Sequence, residues 1–108
     1  MQIDIKATNI KLTPEIKDYV QEKMDMLEKY LASIQVINAD FEVAMTTRRH
    51  NKGKIYRAEA NLVVQGDLLR VEKTEKDLFK AIDKVKDHLA RSIRRYKEKR
   101  IDRNRKAE

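Results

Sequence analysis

The sequence predicts an α+β domain in which a four-stranded sheet carries two amphipathic helices on one face. Four short stretches alternate apolar and polar residues with a period of two, which is typical of half-buried strands. Two longer stretches repeat their apolar residues at helical spacing. The chain of 108 residues is long enough for one such core and too short for two. The element order is therefore β-α-β-β-β-α in a two-layer sandwich.

The N-terminal part predicts one strand followed by one helix. Ile3, Ile5 and Ala7 alternate with polar residues and predict the strand. Thr13 then supplies an N-cap oxygen, and Pro14 suits the first helical position because its missing N–H would have no partner there. The helix is predicted to run to about Leu31. Its buried stripe consists of Ile16, Tyr19, Val20, Met24, Leu27 and Leu31.

The middle of the chain predicts three consecutive antiparallel strands. Apolar residues occupy every second position in the first two of them, namely Ile37, Ala39, Phe41, Val43 and Met45, then Tyr56, Ala58, Ala60, Leu62 and Val64. Polar, basic residues 48–54 interrupt this alternation and predict a hairpin tip. Residues 65–67 predict the next turn, and Leu69 and Val71 mark a short fourth strand.

The last helix is predicted to run from Thr74 to about Arg100, with Thr74 and Asp77 forming a capping box. Its apolar stripe is Leu78, Phe79, Ile82, Val85, Leu89, Ile93 and Tyr96. The opposite face carries a basic ridge, Lys76, Lys80, Lys84, His88, Arg91, Arg94, Arg95 and Lys99. Residues 75–100 hold ten Lys or Arg against five Asp or Glu, so most of the net charge of +7 lies there. Residues 101–108 are expected to form a basic flexible tail after a domain at 1–100.

Composition argues against an enzyme and against a cofactor site. The chain has no cysteine and only two glycines, which excludes a thiolate zinc site and a glycine-rich phosphate loop. The two histidines have no metal-ligand spacing, and Asp83 and Asp87 are expected to form surface ion pairs. We find no signal peptide and no apolar run long enough to span a membrane. We therefore expect a cytoplasmic protein with no metal, no small-molecule substrate and no membrane partner.

The basic ridge favours a polyanionic partner, above all nucleic acid. A stripe of one sign of charge matches a phosphate backbone, whereas a face that only confers solubility would mix signs. The polar sheet face is too acidic to bind RNA, with Asp4, Asp40, Glu42, Glu59 and Glu72. The helix, loops and tail are thus the expected binding elements. An acidic protein partner, such as a transcription factor, and general duplex-RNA binding are the alternatives.

The stretch DLFKAIDKVKDHLARSIRRYKEK, residues 77–99, resembles the signature helix of the ribosome hibernation promoting factors, the family that includes ribosome-associated inhibitor A and is also known as sigma-54 modulation proteins. The strand to Ile10, the stretch LTPEIKDYVQEKMDMLEKYL and the region around LLRVEKTEKD are similar too, so the resemblance covers residues 1–100. His88 stands where the family commonly has Lys, and Ser92 where it has Gln.

The resemblance implies a fold related to double-stranded-RNA-binding domains. It also implies docking on the small ribosomal subunit between head and platform, in competition with messenger and transfer RNA. Ribosomes would be held inactive under stress or in stationary phase. By matching position, the rRNA-binding residues would be Lys80, Lys84, His88, Arg91, Arg94, Arg95, Lys97 and Lys99, with Lys23 and Lys29 on the first helix.

Overall fold

A four-stranded sheet covered by helices forms the part of the chain that the structure describes. The computed structural model describes residues 1–47 and 53–107, with the side chains of residues 1–46 and 53–101. In chain order, the elements are β1 (Asp4–Thr8), α1 (Pro14–Asp25), α2 (Glu28–Leu31), β2 (Val36–Thr47), β3 (Lys54–Val64), β4 (Asp67–Glu75) and α3 (Leu78–Ala107). The predicted α+β class and the order of strands and long helices are confirmed.

The sheet is mixed, with the strand order β1-β2-β3-β4. β1 pairs with β2 in parallel because the intervening helices carry the chain back across the sheet. The other two pairs are antiparallel, and Gly66 in the turn before β4 has a φ of 80°, which favours glycine. Of the predicted basic hairpin tip, residues 48–52 lie outside the described residues. The likeness to double-stranded-RNA-binding domains stays a prediction.

The core lies between the helices and one face of the sheet. Alternate residues of β3, Ala58, Ala60 and Leu62, are fully buried. α3 lies over β3 and β4 and buries Ile82, Leu89 and Ile93 completely. The small alanine side chains of the sheet leave room for the larger side chains of the helix, which is how a core reaches close packing. The predicted apolar stripe of α3 therefore holds the helix at a fixed rotation.

The start of α3 differs from the prediction, because Asp77 caps the helix and Thr74 does not. The Asp77 carboxylate accepts hydrogen bonds from the backbone N–H groups of Phe79 at 2.8 Å and Lys80 at 3.4 Å. Thr74 instead belongs to β4, where it pairs with Arg57. Strand pairing with β3 continues to Glu75, and this long-range contact outweighs the local capping signal.

The predicted first helix is divided and the last helix is longer than expected. Thr13 caps α1 as predicted, accepting from the Ile16 N–H at 3.2 Å. α1 ends at Asp25, however, and the chain turns at Met26 and Leu27 before the short α2. α3 extends to Ala107, beyond the predicted end near Arg100, since residues 101–107 contain no glycine or proline. The domain boundary near residue 100 stays a prediction.

One predicted core residue of β2 points outward. Ile37 is 63% exposed, although the period of two places it on the buried face. A register shift between Val36 and Asn38 explains the difference. A bulge inserts one residue into the ladder and turns its side chain to the other face.

The identity of the α3 cap generates a stability prediction. Asp77→Ala removes the acceptor of two backbone N–H groups, so the free energy of unfolding is expected to fall by about 1 kcal/mol in urea titrations. Asp77→Asn keeps a capping oxygen and is expected to lose much less. If Thr74→Ala destabilised the protein more than Asp77→Ala, the assignment of the cap to Asp77 would be wrong.

Candidate nucleic-acid interface

The outer face of α3 presents an exposed row of cations. Lys80, Lys84, Arg91, Arg95 and Lys99 are all exposed and follow one another at intervals of four or seven residues. Such spacing places side chains above one another on one face of a helix. Arg94 is exposed beside this row, and Lys97 is half-buried. The predicted basic ridge is thus assembled on one rigid element, with the exception of Lys76, which precedes α3.

In the N-terminal half of this face, one of the two cations of the row is neutralised by a carboxylate. Lys84 forms an ion pair with Glu75 at the end of β4, and Lys86 lies 2.7 Å from Asp87. The ammonium of Lys84 holds the pKa of the Glu75 carboxyl below its usual range. Because a paired lysine must give up its partner to bind a phosphate, the strongest site for an anion is the second half of α3. We call Arg91, Arg94, Arg95 and Lys99 the arginine cluster.

His88 separates the two halves and adds no charge at neutral pH. The residue is half-buried, and its Nδ1 atom is buried with no hydrogen-bond partner within residues 1–47 and 53–107. Burial lowers the pKa of His88, and Lys73, Arg91 and Arg95 lower it further by electrostatic repulsion. The sequence predicted an exposed histidine that faces phosphate. In the structure the ring is instead half-buried, with its Nδ1 atom away from solvent.

Tyr30 connects α2 to the arginine cluster and was not predicted as a site residue. The Arg94 guanidinium lies 5.3 Å from the centre of the Tyr30 ring, and the Lys29 ammonium lies 5.1 Å from it. Cations at this distance are attracted to the face of an aromatic ring. The two cations also lower the pKa of the Tyr30 hydroxyl, Lys29 more than Arg94. This contact brings Lys29 beside the basic ridge, and its contact with rRNA stays a prediction.

Lys23, by contrast, is held in the contact between α1 and α3. Its ammonium lies 3.4 Å from the Asp83 carboxylate and 5.2 Å from the centre of the Tyr19 ring. The Tyr19 hydroxyl donates to the same carboxylate at 2.6 Å, which raises the pKa of Tyr19 to about 12. With 21% of its side chain exposed, Lys23 braces two helices. Lys23 is therefore paired with a carboxylate of α3, and its contact with rRNA stays a prediction.

At the C-terminal end of the described side chains, Tyr96 anchors Arg100. The Arg100 guanidinium lies 5.6 Å from the Tyr96 ring centre and donates to the Tyr96 hydroxyl at 3.1 Å. That hydroxyl in turn donates to the backbone carbonyl of Gln65 in the turn between β3 and β4. Tyr96 is thus both a core residue, as predicted, and a support for Arg100, which follows it by one turn on the same side of α3.

The opposite face of the sheet carries a network of ion pairs. Arg57 on β3 pairs with Glu42 on β2, with Glu59 at 3.4 Å and with Glu72 at 3.8 Å. A hydrogen bond from the Thr8 hydroxyl, and then the contact with Arg57, lower the pKa of the Glu42 carboxyl. The predicted acidic character of this face is present, with part of it neutralised by arginine. It offers no array of cations to a phosphate backbone.

Within the described ranges, no three His, Cys, Asp or Glu residues are grouped so that they could hold a metal ion. None of the helices described here is both long enough and apolar enough to cross a membrane.

The buried position of His88 predicts a pH effect on stability. Its pKa in the folded protein lies below the ordinary value of 6.5, so the unfolded chain binds the proton more tightly. The free energy of unfolding is thus expected to fall as the pH is lowered through 6.5 and further through the folded pKa. The measurement is urea unfolding between pH 7.5 and 5.5, above the range in which the Glu42 carboxyl titrates.

The control for this experiment is His88→Gln, which cannot titrate. The variant is expected to show a flatter dependence on pH over the same range, whatever its stability at pH 7.5. Equal slopes for the two proteins would show that the His88 ring is as easily protonated in the folded state as in the unfolded chain.

Comparison with known proteins confirms the resemblance that the sequence suggested. Residues 3–101 match the family described as Sigma 54 modulation protein / S30EA ribosomal protein. The ribosome hibernation promotion factor of Deinococcus radiodurans is 34% identical over 99 residues, which cover 90% of this chain and 50% of that protein. The ribosome hibernation promoting factor of Azotobacter vinelandii is 31% identical over 103 residues, covering 95% of this chain and 89% of that protein.

A solved structure agrees with the fold. The N-terminal domain of Protein Y from Thermus thermophilus superposes with a TM-score of 0.70 at 29% sequence identity, covering 89% of this chain and 99% of that domain. The chain spans about half the length of the Deinococcus relative and most of the Azotobacter relative. Since the family match extends over nearly the whole sequence, the chain belongs to the Sigma 54 modulation protein / S30EA ribosomal protein family.

Proposed function

We propose that this protein binds the small ribosomal subunit through rRNA and keeps ribosomes inactive under stress or in stationary phase. The observation that carries the proposal is the arginine cluster, a group of exposed cations on the rigid second half of α3. Cations fixed on a helix bind a phosphate backbone with little loss of conformational entropy. The names of the relatives, which describe ribosome hibernation, support the ribosome as the partner.

The proposed mechanism is steric and involves no chemical step. The domain would occupy the channel between head and platform in the cytoplasmic ribosome, where messenger RNA and the aminoacyl and peptidyl transfer RNAs bind. α3 would face rRNA with Arg91, Arg94 and Arg95. Lys80, Lys84, Lys97, Lys99 and Lys29 would add contacts around them, and His88 would contribute as a neutral hydrogen-bonding group. Contacts to backbone and shape suffice for such binding.

Pairs of charge reversals test the proposed surface. Arg91→Glu combined with Arg95→Glu places carboxylates in the middle of the arginine cluster, so binding to purified small subunits is expected to weaken at least about tenfold. The dependence of log K on log salt is also expected to become shallower by roughly two units, about one for each lost phosphate contact. Co-sedimentation at several salt concentrations measures both quantities.

The matched control is Lys11→Glu combined with Lys17→Glu. Both lysines are exposed and lie before α1 or in it, and the pair changes the net charge by the same amount. Binding is expected to change by less than about threefold, through long-range electrostatics alone. Equal losses in the two double variants would mean that net charge, and not the arginine cluster, controls binding.

Nuclease treatment of a pull-down separates rRNA from an acidic protein partner, because only the RNA-dependent contact is lost.

The ion pair between Glu75 and Lys84 predicts a variant that binds more tightly. Glu75→Gln removes a carboxylate from the binding face and frees the Lys84 ammonium, so affinity for the small subunit is expected to rise severalfold at low salt. Glu15→Gln changes the net charge equally at an exposed position of α1 and serves as control. Weaker binding by the Glu75 variant would show that the pair positions Lys84 instead of neutralising it.

A further inference from the structure

A groove lies where the C-terminal part of α3 meets the α2–β2 loop and the β3–β4 turn. Its volume is about 780 Å³, within the range of roughly 300–1,000 Å³ that small-molecule sites occupy. Lys97 and Arg100 line the groove, and Lys97 lies beside Arg94 of the arginine cluster because it follows Arg94 by three residues. RNA bound at Arg94 can therefore extend into this groove across Lys97.

Aliphatic side chains line part of the groove. Ile37 is 63% exposed and Ile101 is 52% exposed, and both line it together with the half-buried Ile34. The bulge at the start of β2 turns Ile37 away from the core. Two large aliphatic side chains that share one concave site and face water there provide a surface for a flat apolar group.

Amide side chains supply hydrogen-bonding groups at the same place. Gln35 and Gln65 line the groove and are exposed. Each offers two N–H donors and one carbonyl acceptor, the combination that reads the edge of a nucleobase. The backbone carbonyl of Gln65 is engaged by Tyr96, which ties the turn to α3. Aliphatic walls, amides and cations are thus combined in one groove.

We propose that this groove binds one unpaired nucleotide of RNA. The base lies between Ile37 and Ile101, the amides of Gln35 and Gln65 contact its edge, and its phosphate is bound by Lys97 and Arg100. The inference rests on the proposed function and adds a base-contacting site to a surface that otherwise contacts phosphate. An acidic peptide would pair only with the cations, whereas a nucleotide contacts the aliphatic, the amide and the cationic side chains.

The test is an NMR titration of the isotopically labelled protein with uridine and adenosine 5′-monophosphate. Backbone and methyl signals of Ile37, Gln65 and Ile101 are expected to shift together and to saturate. Ribose 5-phosphate and a triglutamate peptide carry the negative charge without the base and are expected to bind at least about fivefold more weakly. Equal shifts with either of these two probes would overturn the proposal, because the base would then contribute nothing.

Two serine variants sharpen the test. Ile37→Ser removes one wall of the groove at an exposed position, so nucleotide affinity is expected to fall about fivefold. Leu68→Ser changes an aliphatic residue of β4 that is 50% exposed and does not line the groove, and affinity is expected to stay unchanged. Equal affinities for the wild-type protein and the Ile37 variant would contradict the proposed site.

The experiments test nucleotide binding in the groove and the proposed ribosomal function independently. Saturable nucleotide-dependent shifts in a protein that does not co-sediment with ribosomes would support nucleotide binding in the groove and contradict the proposed ribosomal function. Ribosome binding without any base-dependent shift would support the proposed function and contradict nucleotide binding in the groove. Ribosome binding by Ile37→Ser is expected to weaken by a similar factor to nucleotide binding, since the same wall contacts the RNA.

Discussion

The packing of the apolar stripe of α3 on the sheet is the constraint on which the rest of the molecule depends. Ile82, Leu89 and Ile93 are completely buried, together with the alanines of β3. Because a helix repeats every 3.6 residues, fixing these side chains inward fixes the opposite cations outward. Core formation and presentation of the arginine cluster are therefore one event. The site needs no ligand to bring its charges together.

Pairing decides which of the many cations can meet an RNA phosphate. Lys84 is paired with Glu75 and Lys23 with Asp83, so neither is as available as its charge suggests. The Arg94 guanidinium lies against the Tyr30 ring and the Arg100 guanidinium against the Tyr96 ring. A guanidinium has more N–H donors than such a contact uses, so others stay available to a ligand. Tyrosines thus position cations on α3, while carboxylates neutralise others. On the sheet face beyond the core, Arg57 neutralises part of the acidic charge, and this face does not compete for the same partner.

Periodicity predicted the elements and the basic ridge because a helix or strand repeats its pattern over many residues. The features that were missed depend on single long-range contacts. The local sequence predicts that Thr74 caps a helix, but Thr74 pairs with Arg57 in the sheet. The period of two predicts that Ile37 is buried, but the bulge turns it outward. Nothing near Tyr30 in the sequence indicates Arg94, and nothing near Glu75 indicates which lysine it holds. The predicted rRNA contacts and the flexible tail remain predictions.

The central claim is that the domain occupies the path of messenger and transfer RNA on the small subunit. The most direct measurement is co-sedimentation of the purified protein with small subunits at physiological salt, with and without bound messenger RNA and initiator transfer RNA. The account predicts saturable binding to empty subunits that falls as these two ligands are added. Binding of the same strength to empty and occupied subunits would contradict it, because a protein in that path cannot share it.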